Sequence, residues 1–136
     1  MFSGVDHIGI AVDDLDKAVA FYRDSLGLEL LEIKDIESRG LTIAFFKLGN
    51  TLIELLTPLG DNSQVAKFLE KKGPGIHHIA FATDDITKEM AQLSDKGTKL
   101  LSKEPSIGAE GYPIAFVHPK ATASGVLLEM IDKTPV

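Results

Sequence analysis

A chain of 136 residues, 44% hydrophobic and 25% charged, has the size and composition of one compact domain, 1–136, and is neither a disordered tail nor a collagen-like fibre. Fourteen Lys and Arg against 20 Asp and Glu leave a net charge of −6, which argues against nucleic acid as a partner. Cysteine is absent, which removes disulfides, thiolate metal sites and a thiol nucleophile, and makes a reducing cytoplasm the expected compartment. Any metal must then be held by His, Asp, Glu or Gln, and there are four histidines: His7, His77, His78 and His118. No apolar run approaches the ~20 residues of a membrane span, and no basic-then-apolar signal segment opens the chain, so no membrane partner is expected.

In chain order, residues 5–12 alternate and are rich in β-branched side chains, which predicts a strand. Asp13 or Asp14 offers an N-cap. Leu15, Val19, Tyr22 and Leu26 follow as one helical stripe, and Gly27 can end it in a left-handed conformation. Strands are predicted near 28–35, 41–48 and 51–57, the last two joined at Gly49-Asn50. Asn62 or Ser63 can cap a linking helix (about 62–73) through Val65, Ala66, Phe68 and Leu69. Lys71 and Lys72 sit at its C-terminus, where cations are favoured, and Gly73-Pro74-Gly75 breaks it. From about residue 74 the plan repeats. Asp84 or Asp85 caps, Ile86, Met90 and Leu93 make the stripe, Gly97 stops it, and strands are predicted near 98–103, 112–118 and 126–131.

The second half is in fact a copy of the first. Val5-Asp6-His7-Ile8-Gly9-Ile10-Ala11-Val12-Asp13-Asp14-Leu15 lies over Ile76-His77-His78-Ile79-Ala80-Phe81-Ala82-Thr83-Asp84-Asp85-Ile86 at an offset of 71. The same offset carries Ile43-Ala44-Phe45 onto Ile114-Ala115-Phe116, and an offset of 75 carries Leu52-Ile53-Glu54-Leu55 onto Leu127-Leu128-Glu129-Met130. The expected fold is therefore α+β: two pseudo-symmetric βαβββ modules, about 1–60 and 74–136, forming a shared curved sheet around a metal-containing cavity.

The repeat equates His7 with His78 and Glu54 with Glu129. Because strand side chains alternate, His77 and His78 cannot both face inward, and the repeat selects His78. One strand histidine beside Asp6 reads as an ordinary hydrogen-bonded side chain, and Glu54 alone reads as a solvent-facing one. Glu129, however, sits in the same apolar setting as Glu54, and a carboxylate there is costly unless paired or metal-bound. Taken jointly, His7, Glu54, His78 and Glu129 suit a divalent ion such as Zn²⁺, Ni²⁺, Co²⁺ or Mn²⁺.

These modules resemble the vicinal oxygen chelate (glyoxalase-like) superfamily, in which a metal binds two substrate oxygens and stabilises an enolate or related anion. The finer resemblance is to methylmalonyl-CoA epimerases, carried by DHIGIAVDDLDKAVAFYRDSLGL (6–28), LGNTLIELLTPLGDNSQVAKFLEKKGPGIHHIAF (48–81) and GYPIAFVHPKATASGVLLEM (111–130). It implies interconversion of (2R)- and (2S)-methylmalonyl-CoA by proton transfer at C2, an acyl-CoA substrate, a divalent metal with Co²⁺ foremost, and a homodimer. Glu129 resembles the family residue that is both metal-associated and a base. Glu37 is the nearest candidate in module one for a second catalytic acid–base group, although its polar surroundings also read as a solvated strand end. The position of Glu54 is not a Glu throughout the epimerases, and Gln can serve there. Lys103, Lys120 and Arg39 are candidate contacts for the CoA phosphates. Glyoxalase I (lactoylglutathione lyase) shares the His, Glu, His, Glu pattern, but the chain has His118-Pro119-Lys120 where those enzymes often carry a DPDGY-like turn. A non-catalytic binding or resistance protein of the same fold is the third reading, and retention of all four residues argues against it.

Overall fold

The computed structural model describes residues 1–135. Among them are eight strands, β1 (Phe2–Ala11), β2 (Glu29–Ile36), β3 (Leu41–Leu48), β4 (Thr51–Pro58), β5 (Gly75–Thr83), β6 (Ser106–Ile107), β7 (Pro113–Val117) and β8 (Leu127–Asp132). Three α-helices join them: α1 (Leu15–Ala20), α2 (Gln64–Lys72) and α3 (Ile86–Asp95). The α+β class expected from the sequence is the one found. No helix among the described residues is long and apolar enough to cross a membrane.

The chain divides into two compact units, His7–His77 and a second made of Met1–Asp6 with the residues from His78 onward. β1 contributes to both.

In the first unit the strand order is β2-β3-β4-β1, with β1 and β4 parallel and the other pairs antiparallel. Asp14 is the cap that the Asp13-Asp14 pair left open, and its Oδ1 accepts from the Lys17 N–H at 3.1 Å. One sheet face buries Ala44, Phe46, Ile53 and Leu55 against Val19 of α1, with Tyr22 and Leu15 packed around them. The opposite face carries Ile43, Phe45, Glu54 and Leu56, which alternate with that set along β3 and β4. Leu48 pairs with Thr51, so Gly49-Asn50 makes the tight hairpin turn, and Gly49 takes φ +62° there. α2 closes the unit, with the Ser63 hydroxyl, not Asn62, accepting from the Ala66 N–H at 3.0 Å.

In the second unit the order is β5-β8-β7-β6, with the start of β1 beside β5. β5 and β8 are parallel, as β1 and β4 are in the first unit. Asp85 caps α3, accepting from the Lys88 N–H at 3.1 Å. α3 buries Ile86 and Met90 against Ala115, Val117 and Met130. The other face gathers Ala80, Ile114, Ile131 and Phe116.

Two predicted elements come out differently. The first helix does not run as one α-helix to Gly27. After Ala20 it widens into a π-helical turn, Phe21–Ser25, in which the Leu26 N–H donates five residues back to Phe21. The wider turn keeps Tyr22 against Phe46, ring centroids 5.9 Å apart, before Gly27 ends it at φ +75°. The strand predicted near 98–103 is reduced to a single bridge, Leu100 to Val117. Ser102 turns back on the Glu104 carbonyl and Pro105 has no N–H to donate, so pairing resumes only at β6.

Phe46 is fully buried and is one of the largest such side chains. Phe46→Ala should cost ~3–5 kcal/mol, read as a lower urea midpoint at unchanged slope. A loss below ~1 kcal/mol would show that this face is not the core.

Candidate metal and acid–base site

Each unit presents one histidine and one glutamate from its parallel strand pair. In the first unit His7 pairs in register with Leu52, and Glu54 with Gly9. In the second, His78 pairs with Leu127, and Glu129 with Ala80. The glutamate thus lies two residues past the partner of the histidine in both units. Two residues is one period of the pleat, so both side chains leave the same sheet face. His7, Glu54, His78 and Glu129 are all buried, at 4%, 4%, 8% and 5% exposure. His77 takes the other side of β5 and packs edge-on to Phe68 of α2, ring centroids 5.1 Å apart.

The pairs are close but not tight. His7 Nδ1 lies 3.5 Å from Glu54 Oε2, and His78 Nε2 lies 3.3 Å from Glu129 Oε1. Charge-assisted N–H···O bonds are shorter, about 2.7–2.9 Å. Two donors each ~2.1 Å from one metal, at 90–109° to each other, are ~3.0–3.4 Å apart. The His78–Glu129 spacing of 3.3 Å falls within that range and the His7–Glu54 spacing of 3.5 Å lies just beyond it, and imidazole with carboxylate is a donor set that divalent ions accept. His7, His78 and Glu129 each offer a buried atom of this kind. Glu54 completes the first unit's pair.

The register also brings in residues whose part in the site the sequence reading missed. Phe45 pairs with Glu54, and Phe116 with Glu129. Each glutamate is thus flanked by a phenyl ring on one side and by Gly9 or Ala80 on the other. Phe116 also meets His78 edge-on, 6.5 Å between centroids. The signal was the repeated Ile-Ala-Phe, which marks the same wall in both copies.

Glu37 is not buried with these residues. It is exposed and opens a 3₁₀ turn, Glu37–Arg39, in which the Gly40 N–H donates to the Glu37 carbonyl at 3.1 Å. The second unit builds the same turn, with the Gly111 N–H donating to Gly108 at 3.0 Å. Gly108 stands where Glu37 stands, and a Cβ there would come within 2.9 Å of Ile114. Of these two equivalent positions only Glu37 carries a carboxylate, and a side chain at Gly108 would have to displace Ile114. Lys103 lines a cavity of about 520 Å³ with Thr87, Met90 and Ser94 beside α3. That is the sheet face opposite Glu129, which counts against a phosphate contact there.

Comparison with known proteins agrees with this geometry. The sequence profile of the Glyoxalase/Bleomycin resistance protein/Dioxygenase superfamily matches residues 6–116. The chain belongs to this superfamily. Among its relatives in the superfamily, the ethylmalonyl-CoA/methylmalonyl-CoA epimerase of Cereibacter sphaeroides is 45% identical over 96% of this chain and 98% of its own. The mitochondrial methylmalonyl-CoA epimerase of Homo sapiens is 44% identical over 93% of this chain and 72% of its own. A solved methylmalonyl-CoA epimerase in complex with methylmalonyl-CoA and NH4+ is 39% identical, covers 99% of this chain and 100% of its own, and superposes with a TM-score of 0.90.

Burial lowers the pKa of His77 from its usual 6.5, and the Lys72 charge lowers it further. Below about pH 6.5 the unfolded chain therefore binds a proton that the folded chain resists, and stability falls with pH. His77→Phe should flatten the stability–pH curve, measured by urea unfolding from about pH 7.5 to 5. An unchanged slope would refute this.

Proposed function

We propose that the chain is a metal-dependent methylmalonyl-CoA epimerase, moving a proton at C2 between the (2R) and (2S) forms of the acyl-CoA. The observation that carries this reading is the pair of His–Glu couples in identical register, one in each unit, within relatives that bear that name. His7, Glu54, His78 and Glu129 would hold one divalent ion, with Co²⁺, Zn²⁺, Ni²⁺ and Mn²⁺ all compatible with an N/O donor set. Two carboxylates would offset the ion's two charges, so the donor set is electrically balanced.

The C2 proton is weakly acidic because the anion left behind is unstable in water. A divalent ion supplies Lewis acidity worth several kcal/mol to that anion. The chain supplies the proton carriers, each worth perhaps 10²–10⁴-fold. Glu129, in its apolar wall, would take or return the proton on one face of C2. Glu37 would serve the other face. The turn asymmetry supports that choice, since the equivalent Gly108 leaves no space for a side chain. Inversion needs two groups on opposite faces, and one carboxylate from each unit meets that need.

The glyoxalase I reading has the same donor set, but the Pro119–Gly125 connection lacks the turn that such enzymes often carry. A homodimer and a cytoplasmic location complete the proposal, supported by the superfamily resemblance and by the absence of cysteine.

With Co²⁺ in D₂O, (2R)-methylmalonyl-CoA should gain deuterium at C2 and invert. No exchange by metal-loaded protein, or turnover of the methylglyoxal–glutathione hemithioacetal instead, would sink the proposal. His78→Ala should lose bound metal and activity together. Glu37→Gln should keep its metal but lose inversion at least 100-fold, a loss taken from the range for one acid–base group. Full activity in Glu37→Gln would remove it from the reaction.

A further inference from the structure

We propose that His118 is a substrate-binding residue whose Nε2–H receives the free carboxylate of the 2-carboxyacyl thioester. This rests on the epimerase reading and deepens it. Three observations, all within the second unit, carry it.

The first is the face. Phe116 pairs with Glu129, so alternation brings His118, two residues on, to the same face as Glu129. The His118 N–H donates to the Lys99 carbonyl at 3.3 Å, so the strand path continues through this residue. Extending the β7–β8 register by one residue sets His118 beside Leu127, which is in turn the partner of His78. The two histidines therefore share one cross-strand row, about 9.5 Å apart at Cα, or two strand spacings. Leu127 stands between them on that face, so an anionic group that meets the His118 ring lies over the Leu127 side chain.

The second is the ring's proton. The Lys120 N–H donates to His118 Nδ1 at 3.1 Å. Nδ1 is thereby an acceptor, and the ring's N–H is on Nε2, the atom left for a ligand.

The third is the rigidity of the mount. Thr122 Oγ1 donates to the Pro119 carbonyl at 2.9 Å and lies 3.0 Å from that of Val126, so it ties both ends of the loop after His118. Ala123 is held at φ +62°, a conformation that alanine adopts only when its surroundings fix it.

The ligand follows from distance and charge. The CoA phosphates sit at the far end of the pantetheine arm, beyond one row of this sheet. The acyl carboxylate sits at C2 itself. Between Phe116 and Leu127 it would lose water, and a buried carboxylate oxygen without a donor is costly.

Two substitutions separate the ring's two nitrogens. His118→Asn keeps an acceptor at the place of Nδ1 and loses the outer donor. His118→Gln keeps a donor at the place of Nε2 and loses the cap. Calorimetric Kd values would be measured for methylmalonyl-CoA and for propionyl-CoA, which lacks the carboxylate. His118→Asn should weaken methylmalonyl-CoA binding roughly 10- to 100-fold, the range for a charge-assisted bond, with propionyl-CoA binding, metal content and Tm unchanged. His118→Gln should stay close to wild type. Equal losses for both ligands, no loss in His118→Asn, or a loss in His118→Gln as large as in His118→Asn would overturn the inference. Wild-type protein that fails to exchange the C2 proton would overturn the epimerase reading and this inference with it. Normal exchange with unchanged discrimination in His118→Asn would overturn this inference alone.

Discussion

The constraint on which the rest depends is the burial of a carboxylate inside an apolar strand, made twice. Glu54 and Glu129 are each nearly inaccessible and flanked by a phenyl ring and a glycine or alanine. Burying an unpaired carboxylate costs several kcal/mol, a large part of the ~5–15 kcal/mol that holds a domain folded. An apolar residue at either position would make a more stable sheet. A protein keeps such a cost, in both copies of its repeat, where chemistry needs the charge. Each imidazole, at 3.3–3.5 Å from its glutamate, relieves part of that cost.

The surrounding architecture serves that arrangement. A parallel strand pair sets histidine and glutamate on one face with a fixed two-residue lead, and this cannot drift, because a one-residue slip would turn every side chain to the other face. The helices pack on the opposite face, where Val19, Phe46 and Leu55 in one unit and Ile86, Met90 and Met130 in the other form dry cores. The costly groups are thus confined to the other face, where they stand among further buried apolar residues such as Ile43, Leu56, Ile114 and Ile131.

Much of this was legible in the sequence. The repeat at offset 71 selected His7 and His78 over His77, and the structure separates them the same way, since His77 packs on Phe68. The caps were narrowed to pairs, and geometry chose Asp14, Ser63 and Asp85. What stayed illegible depended on register or on long-range packing. No local pattern shows that Phe45 stands beside Glu54, because that pairing is a property of two strands. The π-helical turn at Phe21–Ser25 was hidden because the apolar spacing of Leu15, Val19, Tyr22 and Leu26 suits a regular helix, and the contact of Tyr22 with Phe46 is long-range. The strand expected near 98–103 shrinks to one bridge because the adjacent Leu100 and Leu101 are followed at once by the turn at Ser102–Pro105.

The places where the two copies disagree are as informative as those where they match. Groups that hold a metal can be symmetric, because an ion has no handedness to respect. Groups that position the rest of the substrate need not be, since its two ends differ. The copies agree at the four buried residues His7, Glu54, His78 and Glu129. They part at Glu37, where the equivalent Gly108 has no room for a side chain. They part again at His118, whose counterpart at the same offset is the exposed Lys47, registered against Glu29. A duplicated module would first have provided two equal half-sites. On the proposed function, substitution in one copy alone, around the matched His and Glu residues, would let the two units meet different parts of one substrate.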